Sequence, residues 1–362
     1  MEKYLNFSPG AADAVDVWSR HLDKPVLYPR EGSIKPLLTS IKHKLQRFCQ
    51  TDAQVLLLST AGTGALECVI ASLPQDKRIL VIQNGTFGER LAEIAQLHQR
   101  DLTLFDLGWG IPFTSEYEAE LERICHEVHI DVILAVHLET STTLVNDVSA
   151  IGRVAQAVGA ISVIDGISAI GSVELRLFEW GVDCYVASSY KALLCPAGLS
   201  LVFANDRFIS SAQNRWSYYF DMQRLASKAE KDSYLWTPSV LSLYCLEDVL
   251  TGILRETKGK YFERIESNAT LFREKLTSAG FTLMGTEETL SPCFTAIELQ
   301  DDNADLWLQR LKADHGIVIG KGMGETADQL LRIGHYPHRT KEELLHLAEA
   351  LTKCHRHPAT DG

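Results

Sequence analysis

The chain has 362 residues, 46% of them hydrophobic and 23% charged, with a formal net charge of −12. An acidic chain without a basic block lacks the phosphate-neutralising surface of a nucleic-acid binder and the polybasic patch that anionic lipid attracts. No run approaches about 18 apolar residues, and the N-terminus MEKYLNFSPG lacks a basic-then-apolar leader. Eight scattered cysteines form no C-x-x-C pair, so the reading is a cytoplasmic protein with reduced core thiols and no membrane span.

In chain order, AQVLLLST (53–60) predicts a buried strand and ALECVIASL (65–73) a helix. RILVIQNG (78–85) predicts a strand and FGERLAEIAQLHQR (87–100) a helix. DVILAVHLET (131–140) predicts a strand, VSAIGRVAQAVG (148–159) a helix and AISVIDGIS (160–168) a strand. VDCYVASSY (182–190) and LSLVFAND (199–206) add two more strands. Strands alternating with helices imply βαβ units and a mostly parallel sheet, and runs apolar on both faces imply that helices cover it. The pattern changes near 255–265. A long amphipathic helix over 258–280 leads into a strand at 293–300, a helix at 303–316, the segments 317–322 and 330–337, and a helix at 340–354. That is a small α+β unit. The expected division is an N-terminal arm over 1–20, a large α/β domain over 21–260 and a small C-terminal domain over 261–362.

Three features fall at the C-terminal ends of predicted strands, the edge where open α/β sheets bind ligands. STAGTGALE (59–67) joins strand to helix through small residues, either as an anion cradle of backbone N–H groups or as an ordinary glycine turn. Asp165 ends an apolar strand, and is suited either to hold a protonated ring nitrogen or to cap a turn. Lys191 lies 26 positions later, either as a Schiff-base amine or as an exposed strand-end lysine. A phosphate cradle, an acid and an amine on one edge are together what pyridoxal phosphate needs.

The ordered set AGTGALE, NGTFGERL, HLETSTT, VIDGISAIG, WGVDCYVASSYK, LWTPSV and LLRIG resembles the class V, fold type I, pyridoxal-phosphate aminotransferases nearly end to end. The nearest likeness is to alanine–glyoxylate/serine–pyruvate and 2-aminoethylphosphonate–pyruvate aminotransferases. The resemblance implies a large α/β domain with a mostly parallel seven-stranded sheet, plus the small α+β domain. It implies pyridoxal 5′-phosphate as cofactor and a homodimer with shared active sites. Lys191 would carry the cofactor and shuttle the proton, Asp165 would partner the pyridinium, and Phe87 would stack on the ring. Thr140 would lie beside the ring oxygen, and Gly62 and Thr63 would bind the phosphate. Tyr234 and Thr237 would reach the phosphate from the neighbouring subunit. Arg332 would fork onto the substrate α-carboxylate. Ser8 and Gly10 would line the pocket if they do more than form a turn, and Arg30 would face a second anionic group or be a surface residue.

Three positions depart from the family pattern. Ala61 stands where a hydroxyl residue is usual, Tyr190 where Gln or Asn precedes the lysine, and Thr143 where glycine is usual. A phenol at 190 can still reach a phosphate or ring oxygen. His126 and His129 read as solvated residues rather than metal ligands, and no metal is expected. His335 and His338 read as loop residues, and Cys195 as a buried turn cysteine. The implied reaction is ping-pong transamination from an alanine- or serine-type donor to pyruvate or glyoxylate. The rivals are an aminoethylphosphonate transaminase, a pyridoxal-phosphate lyase or desulfurase, and a non-catalytic partner protein that keeps the fold.

Overall fold

The structure, a computed structural model, describes residues 4–28, 32–98, 100–213, 217–300 and 303–356. Seven strands build the main sheet: β1 (Gln54–Leu58), β2 (Arg78–Gln83), β3 (Asp101–Asp106), β4 (Val132–Val136), β5 (Ile161–Asp165), β6 (Cys184–Ser188) and β7 (Ser200–Ala204). Their spatial order is β1-β7-β6-β5-β4-β2-β3. All neighbours are parallel except β7, which runs antiparallel to both β1 and β6. The mostly parallel sheet expected from the sequence is therefore present.

The unbroken apolar runs follow from burial on both faces. Within single strands Leu80 and Val81, Ile133 and Leu134, Ile164 and Val163, and Leu201 and Val202 belong to opposite cores. Because strand side chains alternate, each strand feeds both. One core is closed by α2 (Gly62–Ala71) and α3 (Thr86–Leu97) through Leu66, Val69, Ile70 and Leu91. The other is closed by α1 (Lys35–Cys49) through Leu38, Ile41, Leu45 and Phe48, and by α5 (Val148–Val158), which follows α4 (Glu118–Val128).

Beyond α6 (Met222–Ala229), α7 (Val240–Glu256) and α8 (Lys258–Ser278) comes an antiparallel sheet. It contains β8 (Thr282–Leu283), β9 (Phe294–Glu298), β10 (Gly320–Lys321) and β11 (Leu330–Gly334), in the order β8-β9-β11-β10. A third core joins Phe272, Ile297, Leu331 and Ile333 to Leu311 of α9 (Ala304–His315) and Leu347 and Leu351 of α10 (Lys341–Arg356). The N-terminal segment lies against this sheet: Leu5 and Asn6 pair with Ile317 and Val318, and Gly334 N–H donates to the Phe7 carbonyl. Among the described residues no helix is long and apolar enough to cross a membrane.

Strand β3 and helices α1 and α7 were not anticipated. DLTLFD forms the sheet edge with only Phe105 buried, so it carries almost no core signal. In α1 the buried positions 38, 41, 45, 48 and 49 do keep helical spacing.

Candidate active site

Lys191 is placed by the turn that returns the chain from β6 into β7. Ser189 N–H donates to the Leu199 carbonyl, Cys195 N–H to the Ser189 carbonyl and Leu194 N–H to the Lys191 carbonyl. The lysine is only 6% exposed. Its Nζ donates to Ser168 Oγ at 2.7 Å and lies 5.7 Å from the centre of the Phe87 ring and 5.8 Å from that of Phe294. Burial drives its pKa down to about 8; Arg332 and Arg90 push the same way, against the pull of Asp165 and Glu139. Only the neutral amine adds to an aldehyde. The rate of apoprotein reconstitution with pyridoxal phosphate, followed by absorbance, is therefore expected to rise with pH and level off above about 8. Well below that value it should fall by about tenfold per pH unit.

Asp165 ends β5, the neighbour of β6. Its Oδ1 accepts the Ile167 N–H at 2.9 Å. Burial raises its carboxyl pKa to about 6, against that hydrogen bond and the Lys191 charge. The other carboxylate oxygen receives no protein donor among the described residues.

The turn after β1 brings Gly62 to the first position of α2, with Ala61 as an N-cap that makes no side-chain capping bond. A Cβ on Gly62 would meet the Ile167 side chain at 2.4 Å, so a larger residue would have to displace Ile167 from its place beside the turn. Thr63 follows and is exposed. The Tyr190 phenol has Gly62 and Ser188 as polar neighbours, and burial raises its pKa. Tyr190 thus sits at the mouth of the turn, at the positive end of the helix dipole. Ala61→Ser supplies the missing cap and is expected to stabilise the apoprotein by about 0.5–2 kcal/mol, read from urea unfolding. An unchanged or lower midpoint would refute that expectation.

Phe87 and Thr140 are tied together by Glu139, a residue sequence reading passed over. Its carboxylate is fully buried and accepts the N–H groups of Phe87 (3.0 Å), Gly88 (3.1 Å) and Ser141 (3.0 Å). An acid at the start of α3 completes that helix terminus and fixes the ring-bearing turn against the Thr140 loop. The signal was an acid buried in an apolar strand context, VILAVHLE. Thr140 in turn accepts Arg332 Nη1 on its carbonyl at 2.7 Å. Arg332 Nε donates to the Lys321 carbonyl at 2.7 Å, while Nη2 has no acceptor among the described residues. Burial lowers the guanidinium pKa to about 10, against the pull of Glu139. Thr143 adopts φ +66°, a conformation that glycine takes without strain, and its buried hydroxyl lacks a hydrogen-bond partner.

The remaining candidates are less central. Tyr234 is buried in its own chain, its hydroxyl 3.0 Å from Ser59 Oγ, at the root of the turn; Thr237 is exposed and its carbonyl accepts Ser59 Oγ. Ser8 and Gly10 lie near the Arg332 strand: Gly334 bonds Phe7, and the Tyr336 hydroxyl donates to the Gly10 carbonyl. Arg30 lies outside the described residues. His126 faces Glu122 on α4 and His129 caps that helix, and no three metal-ligand side chains cluster among the described residues. His335 lies in the loop just after β11, buried and paired with Thr295, and burial holds its pKa at about 3. His338 is half-buried, its pKa lowered to about 4 by burial. Cys195 is buried with its Sγ on the Leu193 carbonyl.

These groups fit pyridoxal phosphate in kind. A buried amine of lowered pKa suits an aldehyde, an acid with an open oxygen suits a ring nitrogen, and a helix N-terminus suits a phosphate. The Aminotransferase class-V family model matches residues 27–347. The chain is 29% identical over 341 residues to an L-aspartate–glyoxylate aminotransferase of Paracoccus denitrificans, covering 91% of this chain and 85% of that one. It is 26% identical over 313 residues to a serine–glyoxylate aminotransferase of Methylorubrum extorquens, covering 83% and 77%. It superposes on the crystal structure of an alanine–glyoxylate aminotransferase from Nostoc sp. with TM-score 0.90 and 26% identity, covering 98% of this chain and 95% of that one.

Proposed function

The chain belongs to the class-V aminotransferase family, and from that premise we propose that it moves the amino group of a small amino donor to pyruvate or glyoxylate, with Lys191 as the working amine. It is a pyridoxal-phosphate enzyme, and its neighbours are fold type I aminotransferases. The observation that carries the residue assignment is the convergence of the 61–63 turn, Asp165 and Lys191 at one sheet edge.

The bound cofactor supplies the electron sink that makes a donor's α-hydrogen acidic. In this reading Lys191 would hold it through Nζ and would also take the donor's α-hydrogen as a proton and return it. Asp165 keeps the ring nitrogen protonated with its open oxygen. Gly62, Thr63 and Tyr190 hold the phosphate, the phenol standing in for the amide usual before the lysine. Phe87 would cover a ring face, Thr140 would stand beside the ring oxygen, and Arg332 would take the α-carboxylate. Ser8 and Gly10 border that end. We further propose a division of the chain near residue 260 and a homodimer in a reducing, cytoplasmic compartment. Eight free, buried cysteines support the compartment. The exposed Tyr218, its ring tilted against that of Trp236 beside Thr237, supports a partner surface. In this reading Tyr234 and Thr237 reach the phosphate of the neighbouring subunit, Thr237 being exposed and the Tyr234 hydroxyl lying 3.0 Å from Ser59 Oγ.

A second reading concerns the donor. The Arg90 guanidinium lies 4.7 Å from the centre of the Phe87 ring. It makes no hydrogen bond or ion pair among the described residues, yet its charge bears on Lys191, Asp165 and Tyr190. That is a place for a second acidic group, and the likeness to an aspartate–glyoxylate enzyme points the same way. Offering alanine, serine, aspartate and 2-aminoethylphosphonate in turn, with glyoxylate or pyruvate, separates the readings. Keto-acid product from alanine or serine alone supports the first, and preference for aspartate the second. Product that forms without an acceptor would replace both with a lyase. Sulfur transfer through Cys195 is unsupported, since that thiol is buried and its pKa is held well above the usual range by burial.

A further inference from the structure

Ser168 is the one hydrogen-bond partner of the Lys191 amine among the described residues. It lies in the turn just after Asp165 and is 5% exposed. Its backbone is pinned by Ser172, whose hydroxyl donates to the Ser168 carbonyl at 2.8 Å. Its own Oγ accepts from Lys191 Nζ at 2.7 Å and lies 3.4 Å from Thr140 Oγ1. The Phe87 and Phe294 ring centres lie 5.7 and 5.8 Å from Nζ. Asp165 and Arg332 act on this amine through their charge, and Ser168 Oγ is the one group among the described residues that accepts its N–H. Donating that N–H to Ser168 fixes where the nitrogen lone pair points.

We propose that Ser168 is a further positioning residue, the seat that receives the free Lys191 amine and orients its lone pair toward the donor's α-hydrogen. This rests on the reading of Lys191 given above. The hydrogen leaves the donor's Cα as a proton bound to Nζ, and the C–H electron pair stays with the carbon. Thr140 keeps the Ser168 hydroxyl from turning away, so that the Oγ faces Nζ throughout.

The test uses holoenzyme in a single half-reaction, following loss of the cofactor's visible band after mixing with protiated or α-deuterated donor. Ser168→Ala is expected to slow the band's decay by about 10- to 100-fold, the scale of a misoriented reacting group, and to enlarge the deuterium isotope effect. Ser168→Thr, which keeps the hydroxyl, is expected to recover most of the rate. A decay rate and isotope effect within twofold of the parent in Ser168→Ala would overturn the proposal. So would a slower decay with an unchanged isotope effect and no recovery in Ser168→Thr, because the residue would then serve another step. Borohydride reduction and peptide mapping of all three proteins separates this from the parent reading: cofactor fixed to a lysine other than Lys191 sinks that reading itself, whatever the rates.

Discussion

Lys191→Ala is expected to fold, to bind pyridoxal phosphate without a covalent link, and to lose turnover by about 10⁴-fold or more, the upper range for a lost general base. The turn carrying the lysine is held by backbone bonds of Ser189, Leu194 and Cys195, none of which uses the side chain. Removing the amine also removes a buried charge. Burial lowers the Lys191 pKa from 10.5 to about 8, so the unfolded chain binds that proton more tightly than the folded one. The penalty on the folded apoprotein is complete below about pH 8 and disappears as pH rises to 10.5. Relative to the parent, the alanine variant should therefore be at its most favourable at neutral pH and lose that advantage across the window above 8. Unfolding midpoints of the two apoproteins across pH check the sign. Turnover within tenfold of the parent would end the assignment of Lys191.

Arg332→Met is expected to lower kcat/KM for carboxylate donors by about 100- to 1,000-fold, mostly through KM, because a buried charge pair is broken on one side. Arg332→Lys should recover little. The guanidinium is already bound through Nε to the Lys321 carbonyl and through Nη1 to the Thr140 carbonyl, which aims the open Nη2 edge. An ammonium cannot make those two anchoring bonds and present a fork as well. Cofactor affinity, measured by fluorescence titration, should change little. A large loss of cofactor binding with an unchanged KM would move Arg332 from the substrate to the cofactor.

The main sheet was legible because its central strands are buried on both faces and so appear as unbroken apolar runs. Strand β3 was not, because an edge strand with one buried side chain has no such run. The site was legible where a residue type has few uses at a strand end, as with Asp165 and Lys191. Glu139 and Ser168 stayed hidden for the opposite reason. A glutamate accepting backbone N–H groups and a serine accepting an amine are defined by what the fold brings to them across 51 and 23 positions. Tyr190 lies between these cases: its departure from the usual amide was plain, but its place beside Gly62 depends on how the turn closes.

The central claim is that Lys191 carries the cofactor. Borohydride reduction of the holoprotein, followed by mass mapping of its peptides, tests it most directly. The account predicts loss of an absorption band near about 400–430 nm, general for such cofactor–lysine links, and a phosphopyridoxyl group on the peptide containing Lys191 alone. The same group on another lysine, or a fully loaded protein with no modified peptide, would contradict it.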